Sequence, residues 1–237
     1  MVFSDTVNNL GILQQARSMM RVDATQWPTY KVVNSCNNWL DYVIGYGLSQ
    51  DKFLQLDDTN HTKLNEGTSP LTINVTDYSF LSDEQGNPII TLLGVSILSG
   101  GKYIPLTPVD RNDPNIDMST FGQVSGTPTQ YDKISDNIIR LDRIPTATIS
   151  AGLKYYFQRA GSYFAATDTT KQPGVAPILH RGFVVASAYD GALTLGLENL
   201  QPLSIEKEIE KQVMRDYFAA RNNDQPKRMV AGYQNNR

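Results

Sequence analysis

Two kinds of apolar periodicity divide this chain, and their order limits the folds open to it. Val32, Cys36, Trp39, Leu40, Val43 and Ile44 recur every three or four residues, as along one side of a helix, and Gly45 and Gly47 close the run. Near the other end Ile205, Ile209, Val213 and Tyr217 are spaced by four, with Met214 and Phe218 beside them. Between these stretches the period changes to two. Leu71-Thr72-Ile73-Asn74-Val75-Thr76 alternates strictly, and Leu153, Tyr155 and Phe157 share one face of a run over 147–158. Short amphipathic helices cannot bury their stripes alone. The simplest solution is one helical bundle built from both ends of the chain, with a β-domain inserted into it.

The remaining signals fill in this plan. Ser4 or Asp5 can cap a first helix carrying Val7, Leu10, Leu13, Ala16 or Arg17, and Met20 along one side. Pro28 stands where the second helix begins. In the central part, residues 83–88 read as a turn before the apolar run 89–98, and Ser99-Gly100-Gly101-Lys102 reads as a hairpin turn leading to Tyr103-Ile104-Pro105-Leu106. Pro105 and Pro108 confine that strand to an edge, and 110–117 is a polar loop. Tyr131, Ile134, Ile138, Ile139 and Leu141 mark a hairpin around 135–137. After the Thr- and Pro-rich stretch 167–177, Pro177 opens a helix rich in small residues, Gly182, Ala186, Ala188, Gly191 and Ala192. The last helix follows Pro202, with Ser204 as cap and Glu206 and Glu208 in its first turn. The expected fold is α+β. Residues 1–50 and 175–221 form the helical bundle, 51–174 an inserted antiparallel sheet or sandwich, and 222–237 an extended C-terminal tail.

The chain has 237 residues, enough for a substantial core, and a net charge of −3 that supplies no basic field for nucleic acid or anionic membranes. Only 45 residues are charged, whereas 66 are Asn, Gln, Ser or Thr. Such a surface offers many hydrogen-bonding groups without strong charge, as subunit rims do. One cysteine and two histidines exclude an internal disulfide and a thiolate zinc cage and leave little for His-based catalysis. The start of the chain lacks a signal-peptide pattern and no stretch reaches membrane length, so a protein made in a reducing cytoplasm is expected. On that ground the sequons at Asn60 and Asn74 read as chance.

Individual motifs carry little chemistry. Asp57, Asp58, Asn60 and His61 cluster metal-type ligands without the spacing of a calcium loop. Asp110 and Asp113 read as turn residues rather than a carboxylate pair. Gly100, Gly101 and Lys102 lack the phosphate-loop pattern. Cys36 lies on an apolar helix face, as a small buried hydrophobe does. His180 falls in the first turn of a helix and reads as structural or interfacial, and Trp27 and Trp39 as core. No catalytic site, cofactor or metal is expected. The tail is different. From Arg221 onward four basic residues face one acid, a net +3 on a chain otherwise about −6, and Met229, Val230 and Tyr233 are apolar anchors that a solvating tail does not need.

The order of motifs adds a resemblance. Gly94-Val95-Ser96-Ile97 and Tyr103-x-Pro105-Leu106 precede Gly126-x-Pro128-x-x-Tyr131. Then come Ile138-x-x-Leu141 and Pro145, the strand Leu153-Lys154-Tyr155-Tyr156-Phe157-Gln158-Arg159, and Pro177 with His180 at a helix start. Together with the Trp39-centred helix, this order over residues 5 to 200 resembles the head-to-tail adaptor (connector) proteins of tailed bacteriophages. Asp142-Arg143-Ile144 replaces the family's usual Pro-rich stretch. The resemblance implies a structural virion protein, not an enzyme: a ring, usually dodecameric, in the virion neck. Such a ring docks on the portal protein ring and joins it to a tail or nozzle protein, while genomic DNA passes its channel without specific binding. It also implies that the C-terminal segment reaches the portal, a role carried here to Arg221, Lys227, Arg228, Met229, Val230, Tyr233 and Arg237. Rival expectations are a tail completion or nozzle subunit, a ligand- or carbohydrate-binding β-domain with a preformed aromatic cleft, and a metal-dependent hydrolase using Asp57, Asp58 and His61.

Overall fold

Helices form where apolar residues repeat by three and four and strands where they alternate, giving an α+β fold in the computed structural model, which describes residues 1–50, 64–83, 86, 88–109, 118–159 and 161–221. The chain divides into two compact units. The first comprises the described residues of Met1–Lys52, Phe164–Lys171 and Ala176–Arg237, the second those of Phe53–Tyr163 and Gln172–Val175.

The first unit holds α1 (Ile12–Met20), α2 (Thr29–Gln50), a 3-10 turn (Pro177–Leu179), α3 (His180–Leu195) and α4 (Leu200–Arg221). α3 packs against each of the other three helices, so its middle is buried on all sides, from Gly182 through Ala188. This explains its small residues. A Cβ on Gly182 would stand 2.7 Å from the indole Nε1 of Trp39 on α2, and one on Gly191 would overlap the Met20 sulfur of α1. α3 ends at Gly196, whose φ of 64° places it in the left-handed region and lets its N–H reach Ala192 O.

Four expectations for this unit need correction. α1 begins at Ile12 and not after Ser4 or Asp5. Asp5 caps a turn instead, accepting the N–H groups of Val7 and Asn8, both at 3.0 Å. α4 begins at Leu200, so Ser204 lies inside it. Pro202 is tolerated because first-turn N–H groups have no intrahelical partner. The inward side of α4 is Leu203, Glu210, Met214 and Phe218, while Ile205 and Ile209 point out to solvent. The segment Phe164–Lys171, expected within the β-domain, belongs to the helical unit. The Phe164 ring stacks 4.9 Å from Phe3 and meets Phe183 edge-on, and the N–H groups of Phe3 and Ser4 bond Lys171 O and Thr169 O.

The second unit is built from two four-stranded sheets. One has the order β1 (Glu66–Leu71), β10 (Ile149–Arg159), β3 (Ile89–Ser99), β4 (Lys102–Pro105), all antiparallel. The other has the order β2 (Asp77–Ser79), β8 (Ile138–Leu141), β7 (Gln130–Ser135), β5 (Thr107–Pro108), with β5 parallel to β7. β6 (Val124–Ser125) and β9 (Arg143–Ile144) add a short parallel pair. Leu92, Val95, Ile97, Leu153, Tyr155 and Phe157 from the first sheet share one core with Tyr78, Tyr131, Ile139 and Leu141 from the second, the arrangement of a sandwich. The three proline-bearing strands, β1 with Pro70, β4 with Pro105 and β5 with Pro108, all lie at sheet edges, where a missing N–H costs no ladder bond.

Residues 72–76 are not the strand their alternation suggests. Ile73 and Val75 are exposed, Asn74 has φ 63°, and Val75 N–H bonds Thr72 O, which makes a turn. The Tyr78 hydroxyl fixes it, accepting Thr72 N–H at 2.9 Å and lying 3.1 Å from Val75 O. Asp142, in the Asp142-Arg143-Ile144 stretch, organises a second crossing. Its carboxylate accepts the N–H groups of Thr129 and Gln130 and the Thr129 hydroxyl.

Candidate functional site

Catalytic chemistry needs titratable groups brought together, and the described residues contain no group of three or more His, Cys, Asp or Glu placed to hold a metal ion. Asp57, Asp58, His61, Asp110 and Asp113 lie outside the described residues. Cys36 is fully buried among apolar side chains, and desolvation, reinforced by the negative charge of Asp190, pushes its thiol far above the ordinary range. Both effects favour the neutral thiol over the thiolate. His180 is buried at the first position of α3, with its Nδ1 2.9 Å from the Met1 amino group. Trp27 and Trp39 are core residues. Ser99-Gly100-Gly101-Lys102 is the β3–β4 hairpin turn, with φ 58° and 77° at its glycines.

The clefts range from small ones to open hollows of about 570 Å³ beside Met20 and Leu203 and about 650 Å³ beside Gln14 and Arg17. On the β-unit a cleft of about 230 Å³ lies between Leu71, Ile97, Gly126, Pro128, Pro145 and Ile149; no aromatic side chain lines it, so it lacks a stacking platform for a sugar. In the helical unit a cleft of about 270 Å³ opens between α2, α3 and α4 over Trp39 and Tyr42. Its charged groups are already matched: Lys207 Nζ lies 3.2 Å from Asp190 and 4.3 Å from the Tyr189 ring centroid, and Lys211 pairs with Glu208.

The surface of the helical unit is more informative. Val7 is 85% exposed and Leu10 62%, at the tip of the Asp5-capped turn, while Ile205 and Ile209 on α4 are 58% and 55% exposed. Beside those isoleucines the Arg181 guanidinium meets Glu206 at 2.8 Å and Glu210 at 3.2 Å. Burial raises the Glu210 carboxyl above its ordinary value, with Arg181 opposing that effect. α4 continues to Arg221, where the basic segment begins. Of the residues assigned to the tail, Lys227, Arg228, Met229, Val230, Tyr233 and Arg237 lie outside the described residues, and Arg221 is the last helical residue.

The four exposed apolar residues escape sequence reasoning because helical spacing places all of them in a core. For Val7 and Leu10 the contrary signal is Asn8-Asn9 followed by Gly11, a pair of turn formers and a breaker. For α4 it is Leu203, which starts a competing stripe through Glu210, Met214 and Phe218. No helix among the described residues is long and apolar enough to cross a membrane. Compared with known proteins, the chain matches no family model and no curated sequence.

Proposed function

We propose that this protein is a structural subunit of a tailed-bacteriophage virion, a head-to-tail adaptor whose copies form a ring docked on the portal. In this role it works by binding alone. The supporting observation is at α4: it packs along one side, keeps Ile205 and Ile209 outward, and runs unbroken to Arg221, where the basic segment carrying Met229, Val230 and Tyr233 begins. A basic segment with such apolar anchors suits binding to a partner. Repetition around a ring makes many weak contacts strong together. The acidic remainder of the chain suits a channel through which DNA slides without adhering, and the ring contact is heterologous and closed, each copy touching two others.

Reversing the charges in Lys227→Glu/Arg228→Glu tests the reading. Affinity for the portal ring is expected to fall about tenfold or more, with the melting temperature unchanged. Unchanged affinity would count against the tail as the portal anchor.

A further inference from the structure

We propose that the cleft between α2, α3 and α4 is a binding site for one neutral sugar ring, a pyranose. The site goes beyond the assembly role proposed above and does not depend on it.

Helix packing leaves the space. α2 and α4 both pack on α3 and touch one another little, so a gap stays open between them. α3 lines it with Ala186, whose single methyl group fills none of it, and with Asp190 one turn on. Ser35, Trp39 and Tyr42 line it from α2, and Lys207 and Lys211 from α4. The volume of about 270 Å³ falls below the ~300 Å³ at which sites for drug-sized ligands begin, a size suited to one ring with its hydroxyls.

The deciding group is Ser35. It is 6% exposed, it lines the cleft, and its hydroxyl has no hydrogen-bond partner among the described residues. Buried hydroxyls are ordinarily bonded, because an unpaired one carries the full cost of its desolvation. In a helix the carbonyl a turn earlier can serve. Ser49 and Thr194 donate such bonds to Tyr46 O and Asp190 O. Ser35 makes none, which leaves its hydroxyl for a ligand. Asn38, exposed on the same lining, also keeps its side-chain amide free among the described residues.

The other walls select the kind of ligand. Trp39 and Tyr42 stand with ring centroids 5.4 Å apart and planes tilted by 31°. Trp39 is buried and Tyr42 exposed, so Tyr42 is the ring that a ligand can cover. The negative face of such a ring attracts the C–H groups along one side of a pyranose. Opposite, Lys207 Nζ lies 3.2 Å from Asp190 Oδ1, and Lys211 pairs with Glu208. Within such pairs the ammonium still has N–H groups to give and the carboxylate lone pairs to share, although the charges cancel. Neighbouring sugar hydroxyls each donate one bond and accept others, so a mixed pair of this kind matches them.

Charged and apolar ligands fit less well. An anion meets Asp190, a cation meets Lys207 and Lys211, and either has to compete with an existing ion pair. An apolar group leaves Ser35 unpaired.

The test is an NMR titration of the isotope-labelled full chain with the methyl glycosides of glucose, galactose, mannose and N-acetylglucosamine. Glucuronate and glucosamine serve as the anionic and cationic forms of the same ring. At least one neutral glycoside is expected to shift the amide signals around Ser35, Tyr42 and Ala186, with the millimolar Kd of so small a ligand. It is expected to bind about fivefold or more tightly than either charged sugar. Ser35→Ala and Asn38→Ala remove no side-chain bond of the folded chain, so both are expected to melt as the parent does. Each is expected to weaken binding about threefold to tenfold. No shift at these positions with any of the glycosides overturns the site. Tighter binding of a charged sugar, or binding that both variants leave intact, overturns it equally.

Discussion

At the scale of residues, the spacing of the helices around α3 is set by a few positions where nothing larger than hydrogen fits. Gly182 faces the rigid indole of Trp39, whereas Gly191 faces first the flexible Met20 side chain, with the Trp27 indole 3.1 Å from the new atom. Replacing a helical glycine by alanine gains up to ~1 kcal/mol in propensity, but overpacking a core costs ~1–3 kcal/mol. Gly182→Ala is therefore expected to destabilise and Gly191→Ala to cost less. Gly45→Ala on the exposed side of α2, where nothing lies within 4 Å of the new atom, is expected to stabilise by about 0.5–1 kcal/mol. Urea midpoints of the three variants check the order, and a stabilising Gly182→Ala would contradict the packing of α2 on α3. The Cys36 thiol offers a second check: a thiol reagent is expected to leave it unlabelled in the folded protein and to label it fully in denaturant.

At the scale of elements, two of the ion pairs in the β-unit differ in character. Arg159 and Asp83, 3.3 Å apart, have side chains 7% and 4% exposed. Asp83→Asn takes a charged partner from Arg159, which keeps its contact with Leu64 O, and is expected to lower stability by ~1–3 kcal/mol in urea melts. Asp77 and Arg140, joined by bonds of 2.7 and 2.8 Å across β2 and β8, are half exposed. Hydrogen bonds from Arg140 hold the Asp77 carboxyl below its ordinary value. The unfolded chain therefore takes up this proton first as pH falls. The stabilisation is complete above the unfolded value near ~3.9 and is lost as pH drops through the lower, folded one. Asp77→Asn is expected to cost ~1 kcal/mol or less at pH 7 and to flatten the acid limb of the urea midpoint against pH.

The same elements show what the sequence makes legible. β10 was readable because Leu153, Tyr155 and Phe157 alternate and all face the sandwich core. Residues 72–76 alternate just as well, yet form a turn, because a hydroxyl six residues from Thr72 supplies the bonds a neighbouring strand would have given. α4 was readable as a helix, but its rotation was not: two stripes compete, and α3 selects the one through Leu203, Met214 and Phe218. Spacing reports a face and packing decides which. The same limit hid the candidate surface, since Val7, Leu10, Ile205 and Ile209 look like core residues until the core is seen to be complete without them.

At the scale of the whole molecule, the proposed activity is assembly, with the segment from Arg221 onward proposed as the part that meets the portal. The most direct measurement is the mass in solution of the full-length chain and of a chain ending at Arg221, each with and without the portal ring. The account predicts that full-length protein adds many copies to the portal while the shortened chain, folded to the same melting temperature, adds none. Association of neither form with the portal would contradict it.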